Sequence, residues 1–241
     1  LPDSAAQVPA RVFAVDAVAF DLDGTLLDTI HDLAAAVNAW LAEQALPPLP
    51  KATIRDLVGK GIEHLLGAAL ALVGAPARDA GAFKGQVARY QAIYGELLGR
   101  ESVLFPGVRE GLAQLRAAGF RLAVVTNKVT RFVAPHLERA GIAADFEVIV
   151  GGNDAVRKKP DAAPLELCAA RLGIVPARLL MVGDSGNDVA SARAAGCPVL
   201  VVPYGYREGL PVQKLGADGI VDSFVALAQR VRRAGNNFPL P

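Results

Sequence analysis

Five short apolar runs decide what this chain can fold into: AVAFDLD at 17–23, RLAVVTN at 121–127, FEVIVGG at 146–152, LLMVGD at 179–184 and PVLVVPYG at 198–205. Their hydrophobicity is nearly continuous, whereas a strand with one wet face alternates apolar with polar residues, so each reads as a strand covered on both sides. Between the later runs the spacing becomes helical. Val108, Leu112 and Leu115 recur at helical intervals before Gly119, and the stretch from Ala190 to Ala195 ends at Gly196, both glycines standing where helices stop. Strands alternating with helices predict an α/β fold, a Rossmann-like parallel sheet core joined by right-handed crossovers.

Residues 29–105 break the alternation. They hold no strand pattern but three amphipathic segments: Ile30, Leu33, Val37 and Leu41; then Ile62, Leu65, Leu66, Ala69, Leu70 and Val73; then Phe83, Val87, Tyr90, Tyr94 and Leu97. The expected organisation is a catalytic core built from residues 1–28 and 106–241, with an inserted all-helical cap domain over 29–105. ALPPLP separates the first two helical segments, and FPG at 105–107 marks the return to the sheet. Trp40, Tyr90 and Tyr94 fall at helical spacing and read as interior of the insertion. Residues 1–11 read as a loose terminus.

With 241 residues and 52% hydrophobic content, the chain can bury a substantial core. Its 25 basic and 24 acidic residues nearly cancel, and the longest basic run is Arg157-Lys158-Lys159. That balance argues against a nucleic-acid binder or a polybasic membrane anchor and favours a small-molecule partner. No stretch approaches the ~20 apolar residues needed to span a bilayer, so a cytoplasmic location is expected. Cys168 and Cys197 lack the close spacing of a zinc site or redox pair and read as reduced interior residues.

In open parallel sheets, chemistry gathers beyond the carboxyl ends of the strands. There the sequence places Asp21 and Asp23, Thr126 and Asn127, Lys158 and Lys159, and Asp184 with Asp188. If the strands are neighbours, these groups make a hard-cation site beside an anion site. Residues two apart on a strand share a side, so Asp21 and Asp23 would address one ligand. Singly, each aspartate also reads as a turn or capping residue, Asp188 most of all, since a helix follows it.

In this order, DLDGT, VVTNK, KKP and GDSGND resemble the four motifs of the haloacid dehalogenase superfamily, most of whose members are phosphatases; the likeness runs from about residue 15 to 205. The resemblance implies that Asp21 is a nucleophile that becomes an aspartyl-phosphate. It implies that Asp23 protonates the leaving alkoxide and later activates water. Thr126 and Asn127 would hold phosphoryl oxygens, and Lys159 would offset the charge between nucleophile and phosphate. Asp21, the backbone carbonyl of Asp23 and Asp184 would bind magnesium (Mg2+), with Asp188 orienting metal-bound water or Lys159 from behind. Members that cleave carbon–halide or carbon–phosphorus bonds replace the acid found here at Asp23, so its presence implies phosphoester chemistry. Where the family often carries a second proline two residues after the first, this chain has Ala162, with Pro164 later.

The insertion's position resembles that of the helical caps that select substrates in one branch of the superfamily, which implies a small phosphorylated metabolite. VGKG in the insertion, VVTNKVTRFVAPHLE, VIVGGNDAVRKKPDAAPL, VGDSGNDVASARAAGCP and YGYREG further resemble the branch that hydrolyses 2-phosphoglycolate to glycolate and phosphate. Lys60, between glycines just before a helix, would meet a substrate carboxylate, or else stand exposed in a connecting loop. Lys128 would face substrate or solvent, and Lys158 reads as a solvated neighbour of Lys159. His31, His64 and His136 read as surface or packing residues, and YGYREG at 204–209 is expected to flank the crevice. Three rivals remain at this level. They are a phosphatase of another small sugar phosphate, a phosphosugar mutase with the same nucleophile, acid and metal, and a non-catalytic binding module, against which the intact Asp21, Asp23, Lys159 and Asp184 stand.

Overall fold

The computed structural model of the chain describes residues 11–76, 79–207 and 209–235. Apart from Arg11, the terminus expected to be loose lies outside them. Strands β1 (Phe13–Val15) and β2 (Ala17–Phe20) lead to a two-residue strand, β3 (Leu27–Asp28). Four helices follow: α1 (Ile30–Ala42), α2 (Lys51–Leu57), α3 (Ile62–Leu72) and α4 (Ala80–Leu97). After β4 (Val103–Leu104) the alternation resumes with α5 (Val108–Ala117), β5 (Arg121–Val125), α6 (Val133–Arg139) and β6 (Val148–Val150). The chain continues through α7 (Ala163–Arg171), β7 (Leu179–Gly183), α8 (Gly186–Ala195), β8 (Val199–Val201), the short α9 (Phe224–Leu227) and β9 (Val231–Arg233).

The central sheet is parallel throughout, in the order β6-β5-β2-β7-β8. Successive strand residues send their side chains to opposite faces. Val18, Phe20, Val124, Val182 and Leu200 pack with residues of α5, α6 and α9, while Ala17, Ala19, Val125, Met181 and Val201 pack with α7 and α8. Both faces are therefore dry, which is why the runs are continuously apolar. The chain starts at the centre, builds outward through β5 and β6, then crosses back to lay β7 beside β2. That reversal opens a crevice between the carboxyl ends of β2 and β7.

Helices α1 to α4 enclose a second core in which Trp40, Leu41, Ile54, Leu66, Ala69 and Tyr90 are wholly buried. Trp40 keeps its polar edge satisfied by donating from Nε1 to Gln86 Oε1 at 3.0 Å. Asp79 caps α4, accepting from the amides of Gly81 and Ala82 at 2.9 Å. The unit leaves and rejoins the sheet through β3 and β4, which pair antiparallel, Leu27 with Leu104 and Asp28 with Val103. Asp32 at the start of α1 fastens the return, accepting from Glu101 N at 2.9 Å and Ser102 Oγ at 2.6 Å.

The expected α/β class and helical insertion are what the structure has, with differences in detail. Helix α2 was not expected; it buries only Ile54, so it carries no apolar period to detect. The parallel pairing of β1 with β9 was not expected either, since VRR has no strand pattern. The first run is a strand only to Phe20, so both aspartates lie beyond it. Gly119 and Gly196 follow α5 and α8 with φ of 81° and 76°. Both cysteines are free and buried. Among the described residues no helix is long and apolar enough to cross a membrane.

Candidate active site

Three strand ends supply the floor of the crevice. Asp21 follows β2 and stays in the ladder through its amide, which donates to Val182 O at 2.9 Å. Gly24 then turns the chain with φ of 91°, and a side chain on it would overlap the Asp184 carboxylate, so only glycine fits. Thr126 and Asn127 follow β5, and Asp184 follows β7. All four are buried, as are Lys159 and Asp188.

Lys159 is the hub. Its Nζ donates to Asp188 Oδ1 at 2.6 Å and Val125 O at 2.7 Å, and lies 3.0 Å from Asp21 Oδ1. The last contact is an ion pair off hydrogen-bond alignment, which leaves Asp21 Oδ1 without an aligned donor. Both expectations for Asp188 coexist, one on each oxygen. Oδ1 pairs with Lys159, while Oδ2 accepts from Ser185 N at 3.0 Å, Ser185 Oγ at 2.7 Å and Asp184 N at 3.2 Å, closing a capping box on α8. Asp184 accepts from Thr25 Oγ1 at 2.8 Å and Tyr206 N at 2.5 Å.

Carboxylate oxygens of Asp21, Asp184 and Asp188 lie within 4.8 Å of one another. Burial pushes the Asp21 carboxyl up to about 6 even though Lys159 pulls it down. Burial, with Asp188 and Asp21 nearby, holds Asp184 well above the ordinary carboxylate range. Lys159 goes the other way: burial lowers it, but Asp188 and Asp21 more than compensate, so it is raised. Three buried carboxylates thus share one ammonium, an arrangement that favours a further cation among oxygen donors.

Above this floor, between the sheet and the helices, is a cavity of about 60 Å³. Asp21, Asp23, Thr126, Asn127 and Lys128 line its sheet side, and Leu33, Ile62, Leu65, Tyr90 and Tyr94 of α1, α3 and α4 line the other. Asp23 does not face the same group as Asp21. Beyond the strand end the two-residue alternation no longer applies, and its carboxylate meets Lys128 Nζ at 2.9 and 3.2 Å. Burial raises Asp23, but Lys128 and His136 outweigh it, leaving the carboxyl below its usual range.

Other expected residues fall in unexpected places. Lys128 is buried and faces the cavity, with Nζ 2.5 Å from Tyr94 Oη. Lys158 is not a solvated bystander; it pairs with Glu63 of α3 at 3.0 Å, joining sheet to helices. Asn127 spends its side-chain amide as a brace, donating to Gly59 O and Lys159 O at 2.8 Å and accepting from Lys159 N at 2.9 Å. Gly59 and Gly61 reach the cavity wall, whereas Lys60 between them is exposed and is not brought to it. His31 and His64 are exposed, while His136 is buried, which pushes it down to about 4, so it is neutral.

The YGYREG segment, Glu208 apart, does flank the crevice. Tyr206 reaches Asp184 through its amide, and its hydroxyl accepts from Thr29 N at 2.8 Å and Ile30 N at 3.0 Å while donating to Asp28 Oδ1 at 2.6 Å. Arg55 of α2 donates to Tyr204 O at 2.9 Å and Gly205 O at 3.1 Å. Sequence reasoning missed Thr25, Tyr94 and Tyr206 as participants. Thr25 was within reach, standing inside DLDGT, but nothing local marks the tyrosines.

A family model described as haloacid dehalogenase-like hydrolase matches residues 18–202. The phosphoglycolate phosphatase of Nitrosospira multiformis is 44% identical over 222 residues, covering 91% of this chain and 97% of that protein. That of Chromobacterium violaceum is 44% identical over 213 residues, 88% of this chain and 95% of its own. A Haemophilus somnus structure described as a predicted phosphoglycolate phosphatase superposes with a TM-score of 0.83 at 34% identity, covering 89% of this chain and 97% of that one. CbbY from Rhodobacter sphaeroides, solved in complex with phosphate, gives a TM-score of 0.76 at 26% identity over 88% and 96%.

Proposed function

The chain belongs to the haloacid dehalogenase-like hydrolases, and from that premise we propose that it is a magnesium-dependent phosphatase hydrolysing 2-phosphoglycolate to glycolate and phosphate. The observation that carries the reaction is Asp21: a buried carboxylate with one unaligned oxygen, on a cavity wall, 3.0 Å from an ammonium. The relatives at 44% identity carry the substrate.

Asp21 Oδ1 attacks phosphorus and becomes an aspartyl-phosphate. Lys159 sits where the two negative charges approach, and its own position is held by Asp188 and by the Asn127 brace. Thr126 Oγ1 accepts from Lys128 N at 3.2 Å, which leaves its hydroxyl proton for a phosphoryl oxygen. Asp23, ionised against Lys128 here, takes up a proton as the anionic substrate enters, gives it to the leaving alkoxide, and then takes one from the water that opens the aspartyl-phosphate.

The donor set fits magnesium, since the cluster is all carboxylate and carries more negative than positive charge. Asp21, Asp184 and the backbone carbonyl of Asp23 would hold it, with Asp188 behind. When bound, the ion supplies the positive charge that offsets repulsion between Asp21 and the phosphoryl group.

Residues 29–105 serve as a cap over the core, and the Lys158–Glu63, Asn127–Gly59 and Lys128–Tyr94 contacts fasten it there. A small cavity between core and helices, with Asp21 on its wall, suits a small phosphorylated metabolite in the cytoplasm. The test is phosphate release from a panel of small esters, with magnesium or chelator, for wild type and Asp21→Asn. Fast magnesium-dependent release from 2-phosphoglycolate, lost in the variant, is the expected result. Turnover of another ester above it would overturn the substrate, and phosphate transfer to a second hydroxyl without release would replace hydrolysis with mutase chemistry.

A further inference from the structure

Among the described residues lining the cavity, Lys128 is the one cation. It is 8% exposed, and its ammonium contacts Asp23 and the Tyr94 hydroxyl and lies 4.8 Å from the Tyr94 ring centre. Beside it stands a second, independent feature. Tyr90 is wholly buried on the helical wall of the same cavity, next to Tyr94, and its hydroxyl has no hydrogen-bond partner. The two tyrosine rings lie nearly parallel, 2° apart in plane, with centroids separated by 6.0 Å. A buried hydroxyl left without a partner is costly, so one that persists on a cavity wall is a donor awaiting a ligand.

We infer that Lys128 and the Tyr90 hydroxyl form an anion subsite within the cavity, one that receives the carboxylate of a short phosphorylated acid. This rests on the phosphatase reading and goes beyond it by naming the residues that choose the substrate. Lys128 and Thr126 line the same small cavity, so the substrate that bridges them has its two anionic ends close together. The rest of the roof argues against a polyhydroxylated substrate. Leu33, Val58, Ile62, Leu65 and Phe132 offer no hydrogen bonds, and sugar hydroxyls pressed against them would lose their water without replacement. A substrate whose single polar group besides the phosphate is an acid meets Lys128 and Tyr90 and leaves the apolar wall to its methylene. The exposed Lys60 is left with no part in this recognition.

The first test compares 2-phosphoglycolate with ethyl phosphate, which has the same chain length and lacks the carboxylate, using wild type, Lys128→Met and Tyr90→Phe. The ratio of kcat/KM for the acid over the neutral ester should fall by about 30-fold in Lys128→Met and by about 5-fold in Tyr90→Phe, with the Tyr90→Phe loss in KM. Equal losses on both esters would overturn the subsite, because a merely structural lysine does not distinguish them. Tyr90→Phe removes only an unpartnered oxygen, so it stays folded if Lys128→Met does not.

The second test needs no turnover. Calorimetric titration with 3-phosphonopropionate and propylphosphonate, both inert to hydrolysis, should show the acid binding about 30-fold tighter to wild type and the difference vanishing in Lys128→Met. If wild type hydrolyses neither ester while this preference holds, the phosphatase reading fails and the subsite stands. If wild type binds both phosphonates alike, or Lys128→Met keeps the preference, the subsite falls.

Discussion

The sheet side and the helical side of the cavity are built on opposite principles. On the sheet side, polar groups are buried in quantity and nearly all are partnered: one Asp188 oxygen alone accepts three hydrogen bonds, and Lys159 is held on three sides. On the helical side the wall is apolar, and a tyrosine hydroxyl goes without a partner. A saturated network holds its atoms in one geometry, as a reaction requires. An unsaturated, apolar wall holds a shape and a few open valences, as selection requires. The floor thus specifies what is done to a substrate, and the roof, together with Lys128 at the floor's edge, specifies which substrate.

The largest effect that would break this division is on the floor. Asp21→Asn should reduce phosphate release by more than about 10⁴-fold, while the thermal midpoint without metal holds or rises, because one of three crowded carboxylates is gone. A comparable loss from any roof substitution would erase the distinction. Lys159→Met should come next. It strips Asp21 and Asp188 of their shared cation, and urea unfolding without metal should show a loss of about 4 kcal/mol.

Trp40→Ala tests whether the roof stands apart. Emptying that site should cost about 3 kcal/mol, and hydrogen exchange should show the loss in α1 and α4 while β2, β5 and β7 keep their protection. Equal loss of protection in the sheet would mean that the two cores unfold as one. Two buried groups of the core, His136 on α6 and Asp21 at the end of β2, should also answer pH with opposite signs. His136 is held near 4 against an ordinary 6.5, so between those values the unfolded chain binds more protons and acid destabilises the fold. Asp21 is held near 6 against 3.8, so without metal the folded chain binds more protons there, and the stability it adds below about 4 is lost as pH rises through 6. Urea midpoints from pH 4 to 7 should therefore gain an acid-side slope in Asp21→Asn and lose one in His136→Leu. The smallest effect is Lys158→Ala, whose pairing with a Glu63 side chain that is 57% exposed should be worth less than about 1 kcal/mol in stability. Its mark should be a raised KM, since it joins roof to floor.

How much of this was visible in the sequence follows the same division. The five strands and the groups at their ends are legible because dry strands must be continuously apolar and the chemistry must sit where they stop. Helix α2 is illegible because one buried residue makes no period, and β9 because VRR pairs through its backbone rather than through side chains. Lys128 and Lys158 were left undecided or misread because their partners, Asp23 and Glu63, lie 105 and 95 positions away, and no local pattern announces a contact at that range. Lys60 invited the opposite error. Its flanking glycines do reach the cavity, but a side chain between two left-handed residues points where the backbone sends it, which is outward.

The pairing of Leu27–Asp28 with Val103–Leu104 has a consequence for descent. The insertion departs and returns at adjacent points, and the entropy of closing a segment between fixed neighbours grows only with the logarithm of its length. Lengthening, shortening or exchanging everything between them therefore leaves the register of β2 against β5 and β7 untouched. Much of the diet can thus change apart from the reaction: a lineage can rewrite residues 30–97, Tyr90 and the apolar wall with them, without relearning how to digest what enters.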